Sequence, residues 1–306
     1  MSDQTHSSVE RDEAFWLCAA SYLLPAHYPV SAWTEHAPFA AWLVDVLRPR
    51  SVVELGTHLG YSCFAFAEAA RILGIDVTVS ALDSWEGDEH AGYYGEEVFE
   101  GVRQTVADCY PRSVRLVRGR FADGREQYGD ATVDLLHIDG RHAYEDVRED
   151  YLTWVTAVRP GGVILFHDIA ERGNGFGVWR LWEELTASGA PSFSFAHGHG
   201  LGVLGVGDGH PAPIAELFTA RRGLTARIRA DFEALGARVS RQAWLETLPA
   251  EAERAWSDAR SRAAHEEQLI AELRETRDRI DAMERSTSWR ITGPLRAVGR
   301  LRRGRR

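Results

Sequence analysis

The chain has 306 residues, 44% of them hydrophobic and 26% charged, enough for one sizeable α/β domain with further segments attached. Its net charge of −10 argues against nucleic acid as the partner of the whole chain, and no apolar run reaches the roughly 18 residues of a membrane span. All 35 basic residues are arginine, and the lack of lysine excludes a Walker A phosphate loop, a Schiff-base enzyme and a lysine general base.

Met1 to Glu10 has no basic-then-apolar leader pattern. Cys18, Cys63 and Cys109 are odd in number and far apart, as expected of reduced thiols in a cytoplasmic protein rather than a disulfide framework or zinc site. Residues 1–45 are expected to form a helical cap, with Trp33, Phe39 and Trp42 shaping an acceptor pocket. Ser51–Leu55 then reads as a strand, Gly56–Gly60 as a glycine turn and Tyr61–Leu73 as a helix. Glycines here let backbone approach a ligand, and the helix start offers free N–H groups. The spacing, Glu54-x-Gly56-x-x-x-Gly60-x-Ser62, is not the three-glycine dinucleotide fingerprint. Glu54 suits either a ligand ammonium group or the orientation of the turn, and His58 can line the same turn.

The next strand, Asp76–Leu82, runs into Asp83, an acid suited to a ribose diol. Trp85 and the loop Glu86–Tyr94 fit a lid as well as a plain exposed loop, and Phe121 after the third strand suits an adenine-side contact. Val133–Ile138 and Gly162–Phe166 read as buried parallel strands joined by a helix over Ala143–Val158. Each strand stops at an acid, Asp139 and Asp168. Neighbouring strands lie about 4.8 Å apart, close enough for the two carboxylates to share one cation. His137 is expected to pack beneath the ligand, and His197 and His199 to sit in a hairpin turn.

Taken in order, Val53–Ser62, Asp83–Asp88, His137–Tyr144, Gly161–Asp168 and Gly200–Val203 resemble the class I S-adenosylmethionine-dependent methyltransferases. The narrower resemblance is to a bacterial group of macrolide-sugar O-methyltransferases and cephalosporin-hydroxylase-like proteins. It covers roughly residues 45–207 and implies a Rossmann-like, seven-stranded doubly wound α/β sheet over residues 46–210. It also implies S-adenosylmethionine held by Glu54, Gly56, Gly60, Ser62, Asp83, Trp85 and Phe121. Asp139-Gly140-Arg141-His142 matches the Asp-x-x-His motif of the sugar methyltransferases, which implies Asp139 as a metal ligand and His142 as general base. Asp168 is the second expected ligand and His167 a third. Relatives commonly carry two adjacent acids where this chain has His167-Asp168, so Mg²⁺ remains the first expectation but Mn²⁺ or Fe²⁺ is opened.

Residues 211–250 read as a helical extension and 251–285 as a charged helix. Trp256, Ala263 and Ile270 share one heptad position, and Ala259, Leu273 and Ile280 another, interrupted by Glu266 and Arg277. The pattern fits a short coiled coil, as in a homodimer, and equally a solvated helix. The tail, 286–306, is arginine-rich with no acid after Glu284. Ser286–Arg296 resembles a segment ending many bacterial glycosyltransferases and glycan-modifying proteins. That implies a small-molecule or glycan acceptor, with a glycan-assembly partner or the inner face of the membrane as the tail's contact; a disordered solubilising tail is the alternative. The leading expectation is O-methylation of a sugar hydroxyl. The alternatives are an iron-dependent hydroxylase using His142, His167 and Asp168, and a non-catalytic adaptor.

Overall fold

The computed structural model describes residues 14–88 and 92–292. The first part of the expected cap, residues 89–91 of the loop after Trp85, and the tail from residue 293 lie outside the described residues.

Contacts divide the chain into two units, Met1–Trp244 and Leu245–Arg306. The first holds a seven-stranded sheet: β1 (Ser51–Leu55), β2 (Thr78–Asp83), β3 (Val114–Arg118), β4 (Val133–Ile138), β5 (Val158–His167), β6 (Ser192–Phe195) and β7 (Leu201–Val206). Their order in space is β3-β2-β1-β4-β5-β7-β6. The first five run parallel, while β7 is antiparallel to both β5 and β6. The expected doubly wound sheet is therefore present, with an antiparallel excursion at one edge. The chain reverses direction across the sheet between β1 and β4, which opens a crevice beyond their carboxyl ends.

Register sets what meets there. Glu54 lies beside His137 and Leu55 beside Ile138 across β1–β4. Ile138 lies beside Phe166 across β4–β5, so Asp139 and His167-Asp168 leave the sheet at the same level. The crossing helix is shorter than expected, α5 (Tyr144–Trp154) followed by one 3₁₀ turn, and β5 begins earlier, at Val158. A register shift between Val133 and Leu135 takes up the added residues Arg159-Pro160-Gly161.

One face of the sheet packs on α1 (Ala37–Leu47), α2 (Tyr61–Ile72) and α3 (Glu96–Cys109). The other packs on α4 (Phe121–Arg125), α5 and α6 (Val178–Ala187). Trp33, Phe39 and Trp42 do not line an acceptor pocket. They are at most 1% exposed and form the first of these cores, where Phe39 meets Phe195 and Phe232. Their apolar area gains more from the sheet than from an open cleft.

After α7 (Ala212–Phe218), α8 runs Arg222–Arg285 without a break at Pro249, and α9 spans Thr287–Ile291. Ile228, Phe232 and Val239 of α8 are buried in the first unit. The second unit, from Leu245, is helical as far as Ile291.

Candidate active site

The glycine turn after β1 is built from inside. Glu54 is fully buried and accepts hydrogen bonds from Thr57 Oγ1 at 2.9 Å and Ser62 Oγ at 2.5 Å, with His137 Nδ1 at 3.2 Å. Both carboxylate oxygens are engaged by the protein, so Glu54 orients the turn. Asp83 does the same from β2: Oδ2 accepts the N–H groups of Thr57 and His58, each at 2.8 Å, and Oδ1 accepts that of Trp85 at 2.8 Å. Oδ1 keeps lone-pair capacity for a ribose hydroxyl.

Two glycines of the turn are sterically required. Gly56 has φ +91°, and a Cβ there would come within 2.1 Å of the Asp139 carbonyl oxygen. Gly60 has φ +87°, and its Cβ would strike the Phe64 ring. The turn thus lies directly on the backbone that follows β4. Trp85 is turned inward instead of facing a ligand. It is 1% exposed, its indole N–H donates to the His58 carbonyl, and its ring meets Phe99. Positive φ at Trp85, +54°, is what rotates it behind the turn. Phe121 begins α4 and its ring covers Gly140, closing the crevice beside the chain that follows β4.

Beyond β4 and β5 stands a cluster of acids and imidazoles. His142 Nε2 lies 2.9 Å from Asp168 Oδ2 and 3.8 Å from Asp139 Oδ1. One ligand atom from each of Asp139, His142 and Asp168 falls within 4.8 Å of the others. Two carboxylates and one imidazole form an O₂N set that suits a divalent cation such as Mg²⁺ or Mn²⁺. His167, expected as a ligand, has both ring nitrogens engaged by the protein: Nδ1 faces Asp139 at 3.2 Å and Asp168 at 3.4 Å, within the cluster, and Nε2 meets the Gly198 carbonyl at 3.0 Å. An iron triad of His142, His167 and Asp168 would have to free one of these ring nitrogens from its present partner. The ring of His142 stacks on Phe176, and its backbone carbonyl accepts the Gly177 N–H, which fixes its direction.

Burial opposes charge on His142, but the carboxylates of Asp139 and Asp168 prevail and raise its pKa to about 9. His167 is held well above the usual imidazole range against burial by the same two acids, Asp139 first. Burial works against ionised Asp139 and Asp168 too. The histidines nonetheless keep Asp139 well below the carboxylate range and bring Asp168 to about 2. These directions favour ionised carboxylates facing protonated imidazoles in the cluster.

Sequence reasoning missed His36. It is fully buried, donates from Nε2 to the Gly198 carbonyl at 2.9 Å, and packs edge-on against His167. Burial, then the neighbouring His167 and His197, hold it well below the imidazole range. Gly198 therefore receives two histidine N–H groups. Its φ is +54°, and a Cβ at this position would lie 2.9 Å from His36 Nε2, which leaves no room for a side chain. His197 packs on His36 and Phe195, while His199 pairs with Glu171 at 2.7 Å. Next to Gly198 opens a cleft of about 400 Å³ lined by Ser31, Thr34, Glu35, His199 and Ser240, with Ala32 and Ala243.

Residues 53–169 match the family model described as "Methyltransferase domain". Over this stretch the chain is similar to methyltransferase domains. An uncharacterized protein, y4gI, of Sinorhizobium fredii (strain NBRC 101917 / NGR234) is 48% identical over 176 residues, 58% of this chain but 19% of that protein. The chain thus spans about a fifth of the curated relative it matches. Solved structures with a similar arrangement include the O-methyltransferase TomG of Streptomyces achromogenes, in complex with SAM. It is 20% identical, with a TM-score of 0.45, over 66% of this chain and 92% of TomG. A putative caffeoyl-CoA O-methyltransferase of Staphylococcus aureus is 16% identical, with a TM-score of 0.45, over 56% of this chain and 82% of its own. Among the described residues no helix is long and apolar enough to cross a membrane.

Proposed function

We propose that the protein transfers the methyl group of S-adenosylmethionine to a hydroxyl of a polyhydroxylated acceptor, a sugar or glycan precursor, with a divalent cation at Asp139, His142 and Asp168. One observation carries this reading. Asp139 belongs to two structures at once: its backbone abuts the glycine turn at Gly56, and its side chain joins His142 and Asp168. The turn that would hold the cofactor and the cluster that would hold an acceptor oxygen are therefore adjacent, as methyl transfer between them requires.

Bound on the turn, S-adenosylmethionine would supply an activated methyl group, its bond to sulfur breaking as the bond to the acceptor oxygen forms and S-adenosylhomocysteine leaving. Asp83 and Glu54 hold the turn, Phe121 would bound the adenine side of a bound cofactor, and Gly56 and Gly60 give the backbone its close approach. A cation in the O₂N set would acidify the acceptor hydroxyl. His167 keeps Asp139 ionised and aimed at the cluster, and His142, as a ligand of the cation, would not also take the hydroxyl proton.

The adjoining cleft supports the acceptor class. Three hydroxyls, one carboxylate and one imidazole line it, a set that matches the alternating donors and acceptors of a polyol better than a flat apolar ring. It is tied to the cluster through Gly198 and His167. The test is calorimetric titration of S-adenosylhomocysteine with and without Mg²⁺ or Mn²⁺, followed by transfer of labelled methyl to a panel of sugar nucleotides and glycosides. Micromolar binding and label on a sugar oxygen are expected. Failure to bind S-adenosylhomocysteine under every condition would sink the proposal.

A further inference from the structure

Within the second unit, the part of α8 from Leu245 to Arg285 is about 60 Å of helix at 1.5 Å per residue. Large apolar side chains stand in water along it: Trp256, Leu269, Ile270, Leu273, Ile280 and Met283 are 42–72% exposed. A helix this long draws its stability from packing an apolar stripe, not from propensity. Nothing among the described residues of this unit covers the stripe.

Counting in sevens from Leu245 places Leu245, Ala259, Leu273 and Ile280 in one column. Three residues further on, Leu248, Leu269 and Met283 form a second. This is a coiled-coil seam, and Trp256 and Ile270 widen it on one side. We propose that it pairs in parallel and in register with the same seam of a second copy of this chain.

Charge argues for that occupant. Glu272 and Arg279 immediately precede first-column residues, and in a parallel pair such positions face the partner residue five places on. Glu272 then meets the partner's Arg277, and Arg279 meets the partner's Glu284, each pair occurring twice by symmetry. Among the described residues, Arg277, Arg279 and Glu284 have no ion pair within their own chain. Inside the seam, Arg262 and Glu266 each face their own copy in a parallel pair, and the like charges are offset only by the opposite charge in the next layer.

Light scattering on the full chain should give twice the 34.2 kDa of one copy. Leu273→Glu with Ile280→Glu should return the mass to that of a monomer and leave the melting of the methyltransferase domain unchanged. Arg277→Glu should weaken the dimer at least tenfold, and adding Glu272→Arg should restore it. In a Cys109→Ser background, Leu273→Cys should form a disulfide-linked dimer under mild oxidation, while Arg274→Cys on the outer face should not. A monomeric wild type, including one that binds anionic vesicles or another protein through this helix, overturns the proposal. So does a dimer indifferent to the glutamates, a trimer, or a dimer in which Leu273→Cys does not cross-link.

Discussion

Asp83→Asn separates the support of the glycine turn from contact with the cofactor. In the native site one carboxylate accepts three backbone N–H groups, from Thr57, His58 and Trp85. An amide offers one acceptor oxygen. Turned toward Thr57 and His58, it keeps two bonds but sets its NH₂ against the Trp85 N–H; turned the other way, it loses two. At least one charge-assisted bond goes, and a donor is left facing a donor at a site only 7% exposed. Hydrogen bonds to charged groups contribute about 1.5–3 kcal/mol, so the expected loss is about 2 kcal/mol. For a unit of this size that is roughly 4–8 °C in Tm. Affinity for S-adenosylhomocysteine should fall at least tenfold, because Thr57 and His58 are the residues of the turn itself. Urea unfolding and calorimetric titration measure the two effects separately. A variant as stable as wild type would refute the bracing role, even if cofactor binding were lost.

Four further outcomes are expected. Gly56→Ala, with a Cβ within 2.1 Å of the Asp139 carbonyl at φ +91°, should cost about 3 kcal/mol or more and abolish S-adenosylhomocysteine binding. Gly74→Ala, at φ +63° with nothing within 4 Å, should cost only about 1 kcal/mol, so equal losses would show that strain rather than the close approach is at issue. Millimolar Mg²⁺ or Mn²⁺ should raise Tm by several degrees in the wild type and not in Asp168→Asn; an equal rise in both would remove the cation from this cluster. Asp150, raised to about 7 by burial and then by Asp146 and Glu149, favours the folded state only when protonated. Its penalty is absent below the ordinary carboxylate value, grows as pH climbs to about 7, and is constant above. The full shift corresponds to about 4 kcal/mol, and solvent screening at this partly exposed group reduces that to about 1–2 kcal/mol. Asp150→Asn should therefore stabilise the protein at pH 8 and much less at pH 5, as read by thermal melts.

Much of the sheet could be read from the chain because apolar runs ending in Asp83, Asp139 and Asp168 mark strand ends wherever strands are buried on both faces. The glycine turn was legible for a related reason: only glycine tolerates φ near +90°, so Gly56 and Gly60 advertise their backbone. The destinations of side chains were not legible. Trp85 reads as a lid aromatic until its positive φ turns it inward. His167 reads as a ligand, and the sequence does not show that its Nε2 is held by a hairpin carbonyl 31 residues away. His36 carries no signal at all, since its partner Gly198 lies 162 residues further along the chain and no local period encodes such a contact.

His142 cannot serve as both cation ligand and resting general base, and its own charge shows how the two roles divide. Its folded pKa is raised to about 9, so near neutrality it is imidazolium, and its pairing with Asp139 and Asp168 stabilises the fold most below the unfolded histidine value near 6.5. That contribution is lost as pH rises through about 9. A cation at the same three residues replaces this proton, since only neutral imidazole offers a lone pair. Cation affinity should therefore rise with pH between about 7 and 9, and each bound ion should release a fraction of a proton that shrinks over the same window. Calorimetry of Mn²⁺ binding in buffers of different ionisation enthalpy reads that proton directly. In His142→Gln the proton release and the pH dependence should both vanish, leaving weaker binding by the two carboxylates. Release that persists in the variant would place the displaced proton on His167, and would make His167 the residue that answers to the ion.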